Sequence, residues 1–263
     1  MGYLVEFGYL RWRYPTWEAR IIINTLIIES LADSPNLSLA EKAIYVVTMY
    51  KQYPSVEALA RHTDLTPRHL AKHLRSLQHL GWMDLIKDGT KLKPVAVVPR
   101  DVETIIADQI RLKVSLAPYK GEETTALFIE WIVAPEVRLI RHARPDFLRN
   151  SETGQNLEYD IYVPRYLWAI EYHGDQHFGP TQRYQGDRAF VERHKRDLRK
   201  IQLSKENNIR LSVVHNRILT LEGILEVIPD DVPRRVFDPK GPVILTLEDI
   251  AREVARNQDW DRE

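Results

Sequence analysis

The chain of 263 residues is 44% hydrophobic and 28% charged, which is typical of a soluble globular protein with room for two ordinary domains. It contains no cysteine, which excludes disulfides, zinc–thiolate sites and cysteine nucleophiles, and its 37 basic and 37 acidic side chains cancel, so overall charge predicts no nucleic-acid partner. No apolar stretch approaches the roughly 20 residues that span a bilayer, and the N-terminus has no secretory signal pattern, so we expect a cytoplasmic protein without membrane contacts.

The first hundred residues predict four helices after an aromatic N-terminal segment. Ser38 with Glu41 three residues later is a capping-box pattern, and Thr66-Pro67 supplies an N-cap followed by a first-turn proline. The predicted helices cover 17–32, 38–53, 56–62 and 67–80.

The helix predicted over 67–80 has two different faces. Its apolar stripe consists of Leu70, Leu74, Leu77 and Leu80 at helical spacing. The opposite face is basic, and no acid occurs anywhere in the helix. We predict that this face binds DNA, through Arg68, His69, Lys72 and Arg75. The alternative is a basic face that is merely solvated.

A two-stranded hairpin is predicted directly after this helix. Asp88-Gly89 is a strong turn signal between strands predicted over 82–86 and 93–98. The order of helices followed by a hairpin resembles the winged helix-turn-helix superfamily. That resemblance implies that the helix over 67–80 enters a major groove and that the hairpin, with Lys91, contacts the DNA backbone. Some members bind proteins instead.

The second half opens with a connecting helix and linker over 101–118 and a helix over 122–133. A strand is predicted over 136–142, and two apolar strands follow around Asp160 and Glu171, separated by a short break at Pro164 to Tyr166. A long charged helix over 183–208 and a buried strand over 209–215 complete an α/β pattern with one mixed sheet. Helices are predicted over 219–227 and, begun by Thr246, over 247–257.

The two strand acids are the most informative residues of the chain. Bare carboxylates are costly on half-buried apolar strands, and a hairpin would bring Asp160 and Glu171 side by side. A divalent metal is the simplest compensation. The sequence therefore predicts a metal-dependent nuclease core.

Residues 119–215 resemble the PD-(D/E)xK restriction-endonuclease-like superfamily, and more narrowly its branch of very-short-patch-repair-like and homing-nuclease-related enzymes. The motifs that carry the resemblance are Gly121-Glu122, Tyr159-Asp160, Ile170-Glu171-Tyr172-His173-Gly174, Gln176-His177-Phe178 and Arg196-Asp197 with Lys200. The resemblance implies an α/β sandwich in which Asp160, Glu171 and the backbone carbonyl of Tyr172 bind Mg²⁺ or Mn²⁺.

The resemblance also implies roles for the residues around these ligands. Glu122 matches an acid on the first helix that holds a second metal or a water, with Glu123 and Glu130 as alternatives. His173 departs from the lysine of many relatives and would act as a base or a phosphate contact. Gln176 would position water or the scissile phosphate. Lys200 would bind DNA or supply the positive charge that His173 does not.

A purely structural interpretation of the two acids is also open. Asp160 could pair with Arg165, and Glu171 could pair with Arg183 or His173. Asp197 could approach the metal, although a pair with Arg193 or Lys200 on the helix surface is the simpler expectation.

These observations predict two domains: a winged helix-turn-helix domain over 1–100, a connecting segment over 101–118 and a nuclease-like domain over 119–263. The expected function is a Mg²⁺-dependent endodeoxyribonuclease that acts on double-stranded DNA. The alternatives are a DNA-binding regulator without activity, and a nuclease subunit of a transposition, repair or defence complex that is active only with partners. Because a double-strand cut usually needs two active sites, a homodimer is a further hypothesis.

Overall fold

The computed structural model describes residues 22–150, 153–174 and 187–259, and these ranges form a mixed α/β structure with two sheets. The α/β class predicted from the sequence is confirmed, and one of the two sheets is mixed. Within the described ranges, no helix is both long and apolar enough to cross a membrane.

The N-terminal part consists of four helices and a hairpin. The elements are α1 (Ile22–Asp33), α2 (Leu39–Tyr50), α3 (Val56–Thr63), α4 (Pro67–His79), β1 (Met83–Asp88) and β2 (Lys91–Ala96). The predicted capping box at Ser38 and Glu41 is present, and the Thr66 side chain caps α4. β1 and β2 pair antiparallel around Gly89, whose φ of 58° is the left-handed conformation that glycine tolerates.

Helix α5 (Arg100–Leu116) is part of the protein core. It packs against α1 and also against α6 (Lys120–Ile132) and α9 (Pro242–Asp259). Its buried side chains include Val102, Ile106, Ile110 and Val114. One cluster of buried apolar side chains extends from Ile23 to Val254, and α5 contributes to its centre.

The second sheet holds the strands predicted to carry the acids. Its order is β3 (Ile140–Ala143), β4 (Tyr159–Val163), β5 (Trp168–His173) and β6 (Arg210–His215). β3, β4 and β5 are antiparallel neighbours, whereas β6 runs parallel to β5. A parallel neighbour requires a crossover, and α7 (Asp187–Glu206) lies in the connection between them.

Helices α6 and α7 cover opposite faces of this sheet. Trp168 and Ile170 of β5 pack into the large core with Phe128 of α6. Ala169, which alternates with them along the strand, packs instead with Leu203 of α7. Residues 169 and 171 therefore share the α7 face.

Two predicted boundaries differ from the observed ones by four residues or more. The strand predicted from residue 136 begins at Ile140, because the chain first turns at Ala134, whose carbonyl accepts the Val137 N–H. The last helix begins at Pro242 rather than after Thr246. Proline is tolerated in the first turn of a helix, and buried Val243 and Ile244 extend the apolar stripe that Leu247 continues. Between these elements, α8 (Leu221–Val227) confirms the helix predicted over 219–227.

Candidate functional site

The backbone pairing of β4 with β5 ends before Asp160, where a hydrogen bond between the Asp160 side chain and the β5 backbone replaces it. The backbone register runs from Val163–Trp168 to Ile161–Ile170. Beyond it, the Tyr172 N–H donates to Asp160 Oδ2 at 2.7 Å. Asp160 is thereby held against the end of β5, next to the residue that follows Glu171.

Glu171 is a buried carboxylate on the α7 face, with only 5% of its surface exposed. Lys200 of α7 donates its Nζ to Glu171 Oε2 at 2.6 Å, whereas Oε1 is buried without a hydrogen-bond partner among the described residues. Burial raises the pKa of Glu171 to about 8, and the charge of Asp160 adds to this rise while Lys200 opposes it. Within the described ranges, the positive charge of Lys200 therefore does not offset the burial of Glu171 and the charge of Asp160.

The first turn of α6 brings a third acid to the same place. Burial, followed by the charge of Asp160, raises the pKa of Glu122 to about 7, and His142 opposes that rise. Asp160 is half-buried, and its burial raises its pKa although the Tyr172 N–H lowers it. Glu122, Asp160 and Glu171 are called the carboxylate cluster below, and Asp160 is the member that acts on both of the others.

A glycine allows α6 to approach β5 at this point. A Cβ added to Gly121 would lie 2.2 Å from the Tyr172 ring. That distance is far below any real carbon–carbon contact, so the ring occupies the space that a side chain would need. Gly121 therefore sets the position of neighbouring Glu122 relative to the end of β5.

The two alternatives to Glu122 are engaged elsewhere. Arg141 of β3 donates its Nε to Glu130 Oε1 and its Nη1 to Glu123 Oε2, each at 2.8 Å. Lys113 of α5 also lies 3.2 Å from Glu123. These four residues form the Arg141 cluster, in which two acids meet two bases. Glu122 is the acid of α6 that remains beside Asp160.

Two residues that the sequence did not single out border the carboxylate cluster. His142 stands in β3 between Arg141 and Ala143, which pair with Ile161 and Tyr159 of β4, and its φ of 50° is left-handed. Its Nδ1 lies 3.2 Å from Glu158 and 3.6 Å from Glu122. Arg144 holds the other oxygen of Glu158 at 2.7 Å. Glu158 stands two residues before Asp160, and residues at this spacing on a strand share a face. That spacing was the sequence signal that could have placed Glu158 near the site.

The remaining predicted site residues have different outcomes. Tyr172 lies at the end of β5, in contact with Asp160 through its N–H. His173 ends β5, half-buried, and its register partner in β6 is His215. Gln176 and Arg183 fall outside the described residues. The Arg165 guanidinium lies over the Tyr166 ring at 5.8 Å, and Glu171 is paired with Lys200.

The carboxylate cluster offers oxygen ligands for a divalent cation. The described residues contain no group of three His, Asp or Glu side chains close enough to hold a metal by themselves. The predicted ligand set needs only two such side chains, because it combines the carboxylates of Asp160 and Glu171 with the backbone carbonyl of Tyr172. Among the residues that the structure describes, Glu171 Oε1 is buried without a hydrogen-bond partner and acids outnumber bases at the cluster, and both features fit a hard cation such as Mg²⁺.

The predicted DNA-binding residues lie in two environments. Arg68, His69, Lys72 and Arg75 are exposed on α4, and Lys91 is exposed at the start of β2. The Lys200 side chain is only 13% exposed and contacts Glu171. Lys200 therefore lies at the carboxylate cluster, with little surface left for a DNA phosphate elsewhere.

Comparisons with known proteins are uninformative about function. No family model and no solved structure matches the chain. It is 37% identical over 70 residues to the uncharacterized protein 033L of Invertebrate iridescent virus 3, a match that covers 26% of this chain and 36% of the relative. The uncharacterized protein 307L of Invertebrate iridescent virus 6 is 36% identical over 75 residues, or 26% of this chain and 38% of that protein. The chain thus spans less than two fifths of the length of either relative.

Proposed function

We propose that this protein is a Mg²⁺-dependent DNA endonuclease whose active site is built around Asp160 and Glu171. One observation carries the proposal: Asp160 and Glu171 stand on paired strands close enough for their charges to interact, and Glu171 keeps a buried oxygen without a hydrogen-bond partner in the described part of the chain. Among the described residues, the three acids of the carboxylate cluster meet only Lys200 and His142, and a bound cation would offset the remaining negative charge. The resemblance to the PD-(D/E)xK superfamily points to the same chemistry.

The residues of the site take distinct roles in this proposal. Asp160, Glu171 and the Tyr172 carbonyl would hold the cation, which when bound polarises a phosphate oxygen and lowers the pKa of an attacking water. Lys200 orients Glu171 by its 2.6 Å hydrogen bond and supplies positive charge close to the scissile phosphate. Glu122 would position the water, and His173 and Gln176 would contact water or phosphate.

The N-terminal part would deliver the site to DNA. The helix-rich segment with its antiparallel hairpin fits a winged helix-turn-helix interpretation, and α4 presents Arg68, His69, Lys72 and Arg75 to solvent on one acid-free helix. These side chains can reach phosphates and base edges in a major groove, while Lys91 at the start of β2 contacts the backbone.

Plasmid cleavage tests this function. We expect the purified protein to nick or linearise supercoiled DNA with Mg²⁺ or Mn²⁺ and to lose that activity in EDTA. Asp160→Asn and Glu171→Gln should each reduce the rate at least about 10²-fold, because each removes a ligand charge. Both variants should still bind DNA. A variant that cleaves at the wild-type rate would remove that residue from the mechanism.

A second candidate is a DNA-binding regulator that keeps the nuclease-like architecture as a scaffold. The hydrogen bond between Lys200 and Glu171 favours it, since a lysine can occupy the place of a cation. In this case DNA binding would be independent of Mg²⁺, and no metal would restore cleavage. A Lys200→Met variant separates the two, because it should increase metal binding in a nuclease and only destabilise a scaffold.

A further inference from the structure

A pocket lies where the hairpin of the N-terminal part meets two later segments of the chain. The residues that line it come from 45–52, 93–98, 134–136 and 234–236, and its volume is about 190 Å³. None of them belongs to the carboxylate cluster or to the Arg141 cluster. The pocket is called the Arg235 pocket below, because Arg235 is its most unusual member.

The guanidinium of Arg235 has more donors than partners. Its Nη2 donates to Asn24 Oδ1 at 2.8 Å, whereas Nε is buried without a hydrogen-bond partner among the described residues. In the same part of the chain, Nη1 has no hydrogen-bond partner and no carboxylate forms an ion pair with the side chain. A guanidinium carries five N–H donors, so most of its hydrogen-bonding capacity is unused.

The surroundings of Arg235 do not supply the missing negative charge. The guanidinium lies over the Trp131 ring at 5.0 Å, a favourable contact that leaves its charge in place. Burial lowers the pKa of Arg235 to about 10, although nearby tyrosines and acids oppose that change. The side chain is therefore still charged at neutral pH, and a buried charge is costly unless it is paired.

The other charged residues that line the pocket add to this imbalance. Lys93 and Arg234 are both half-buried, and Glu136 is the acid that faces these bases. Arg234 donates its Nη2 to the carbonyls of Leu225 and Ile228, at 3.2 and 3.0 Å, so neutral groups hold it. Three bases and one acid thus line the described pocket, which favours an anion as the ligand.

The remaining lining and the size of the pocket restrict what this anion can be. Much of the lining is apolar and comes from Tyr45, Met49, Pro94, Val95, Val98 and Ala134. Apolar cavities of roughly 150 Å³ take up benzene. A pocket of about 190 Å³ therefore has room for one six-membered ring or a branched chain of that size, together with a carboxylate.

We propose that the Arg235 pocket binds a small organic monoanion, whose carboxylate pairs with the Arg235 guanidinium and whose apolar body fills the space beside Tyr45 and Met49. A ligand of this class combines charge with apolar area, as small-molecule sites do. The pocket shares no lining residue with the carboxylate cluster, so the inference does not rest on the proposed nuclease function.

Equilibrium dialysis with radiolabelled benzoate tests this pocket on the full chain. Benzoate has the ring and the carboxylate, and we expect a dissociation constant of about 1 mM or below. Benzamide keeps the ring without the charge, and acetate keeps the charge without the ring. At equal ionic strength, each should compete with benzoate at least about tenfold more weakly than unlabelled benzoate does.

Charge changes at the edge of the pocket give a test that does not disturb its packing. Gln52→Glu and Glu136→Gln are near-isosteric changes at exposed residues that line the pocket. Benzoate should bind at least about threefold more weakly to the first and threefold more tightly to the second, because each changes the charge close to the ligand. Gln78→Glu, at an exposed glutamine of α4 outside the pocket, is the matched control and should bind like the wild type.

Replacement of Arg235 itself tests the central contact. Arg235→Met should reduce benzoate binding at least about tenfold, since it removes the charged donor. Arg235→Lys, which keeps the charge without the planar donor set, should lose less. Thermal unfolding of both variants shows whether they remain folded, and the two charge variants decide the matter if they do not.

Four outcomes would overturn the proposal. Absence of benzoate binding at about 10 mM, well above the expected dissociation constant, would show that the pocket takes no such ligand. Benzamide that competes as well as benzoate would leave an apolar cavity without an anion site. Acetate that competes equally would leave a basic surface without a pocket. Equal effects of Gln52→Glu and Gln78→Glu would place the bound benzoate elsewhere on the protein.

Discussion

Two clusters of charged side chains lie close together on α6 and the sheet, and they differ in the balance of positive and negative charge. In the Arg141 cluster, Glu123 and Glu130 receive two hydrogen bonds from Arg141, and Lys113 adds a second positive charge. In the carboxylate cluster, the bases that the described residues bring to Glu122, Asp160 and Glu171 are Lys200 and the edge histidine His142. Burial of charge alone therefore does not identify a functional site. An excess of one sign, which needs an external partner of the other sign, is the more specific signal.

The first way to test this comparison is to remove the base from each cluster. Arg141→Met leaves Glu123 and Glu130 without the guanidinium that donates to both of them. We expect a loss of about 3–5 kcal/mol in the free energy of unfolding. Lys200→Met should cost about 1 kcal/mol near neutral pH, because Glu171, with its pKa raised to about 8, can take up a proton. Urea unfolding in EDTA measures both. Equal losses would show that the two clusters are the same kind of structural ion pair.

The second test uses pH and metal. The pKa values of Glu122 and Glu171 are raised to about 7 and 8 from an ordinary value near 4.5, so the folded protein binds more protons than the unfolded chain between these limits. The two carboxyl groups therefore contribute most to the free energy of unfolding below about pH 4.5. This contribution is lost as the pH rises through their folded-state pKa values of about 7 and 8. In EDTA, the free energy of unfolding of Glu171→Gln should therefore increasingly exceed that of the wild type as the pH rises.

Added Mg²⁺ should reverse this trend. A cation competes with the protons on the carboxylates, so its stabilisation should be larger at pH 8 than at pH 6 and reach about 2–3 kcal/mol at a hundredfold excess over the dissociation constant. Thermal unfolding with and without Mg²⁺ measures the effect, and Asp160→Asn is the control that should not respond. Equal stabilisation of that variant would place the bound cation elsewhere on the protein.

The third test concerns the contact that positions Glu122. Gly121→Ala introduces a Cβ that would lie 2.2 Å from the Tyr172 ring, so the ring, α6 or β5 must shift. We expect a loss of about 1–3 kcal/mol in stability and a larger loss of cleavage than of DNA binding. Ala126→Gly, five residues further along the same helix, serves as a comparison for changes in α6 itself. Unchanged cleavage in Gly121→Ala would mean that the position of Glu122 is not critical.

The fourth and smallest expected effect concerns charges that are not buried at all. The double variant Arg68→Ala with Lys72→Ala should weaken DNA binding by about 1–2 kcal/mol and reduce the salt dependence by about two units of slope. Fluorescence anisotropy at several salt concentrations measures both quantities. Lys240→Ala removes an exposed lysine far along the chain and should change neither. If both variants behave alike, the α4 face is only a solvated surface.

Local features of the fold were predictable because short-range interactions decide them. The capping box at Ser38, the cap at Thr66 and the hairpin around Gly89 depend on residues within a few positions of one another. The strands around Asp160 and Glu171 followed from their aromatic and β-branched residues, which favour half-buried strands. The start of the last helix did not follow, because burial of Val243 and Ile244 against distant elements extended it to Pro242.

By itself, the sequence determined that two acids stand on neighbouring apolar strands, and it pointed to α4 as a basic helix. Only the tertiary structure decided which charges meet: Lys200 reaches Glu171 from 29 residues away, and Arg141 engages Glu123 and Glu130 and leaves Glu122 to Asp160. It also brought His142 and Glu158 to the edge of the site. The physical reason is that electrostatic interactions depend on distance and burial in three dimensions, and neither quantity follows from separation along the chain.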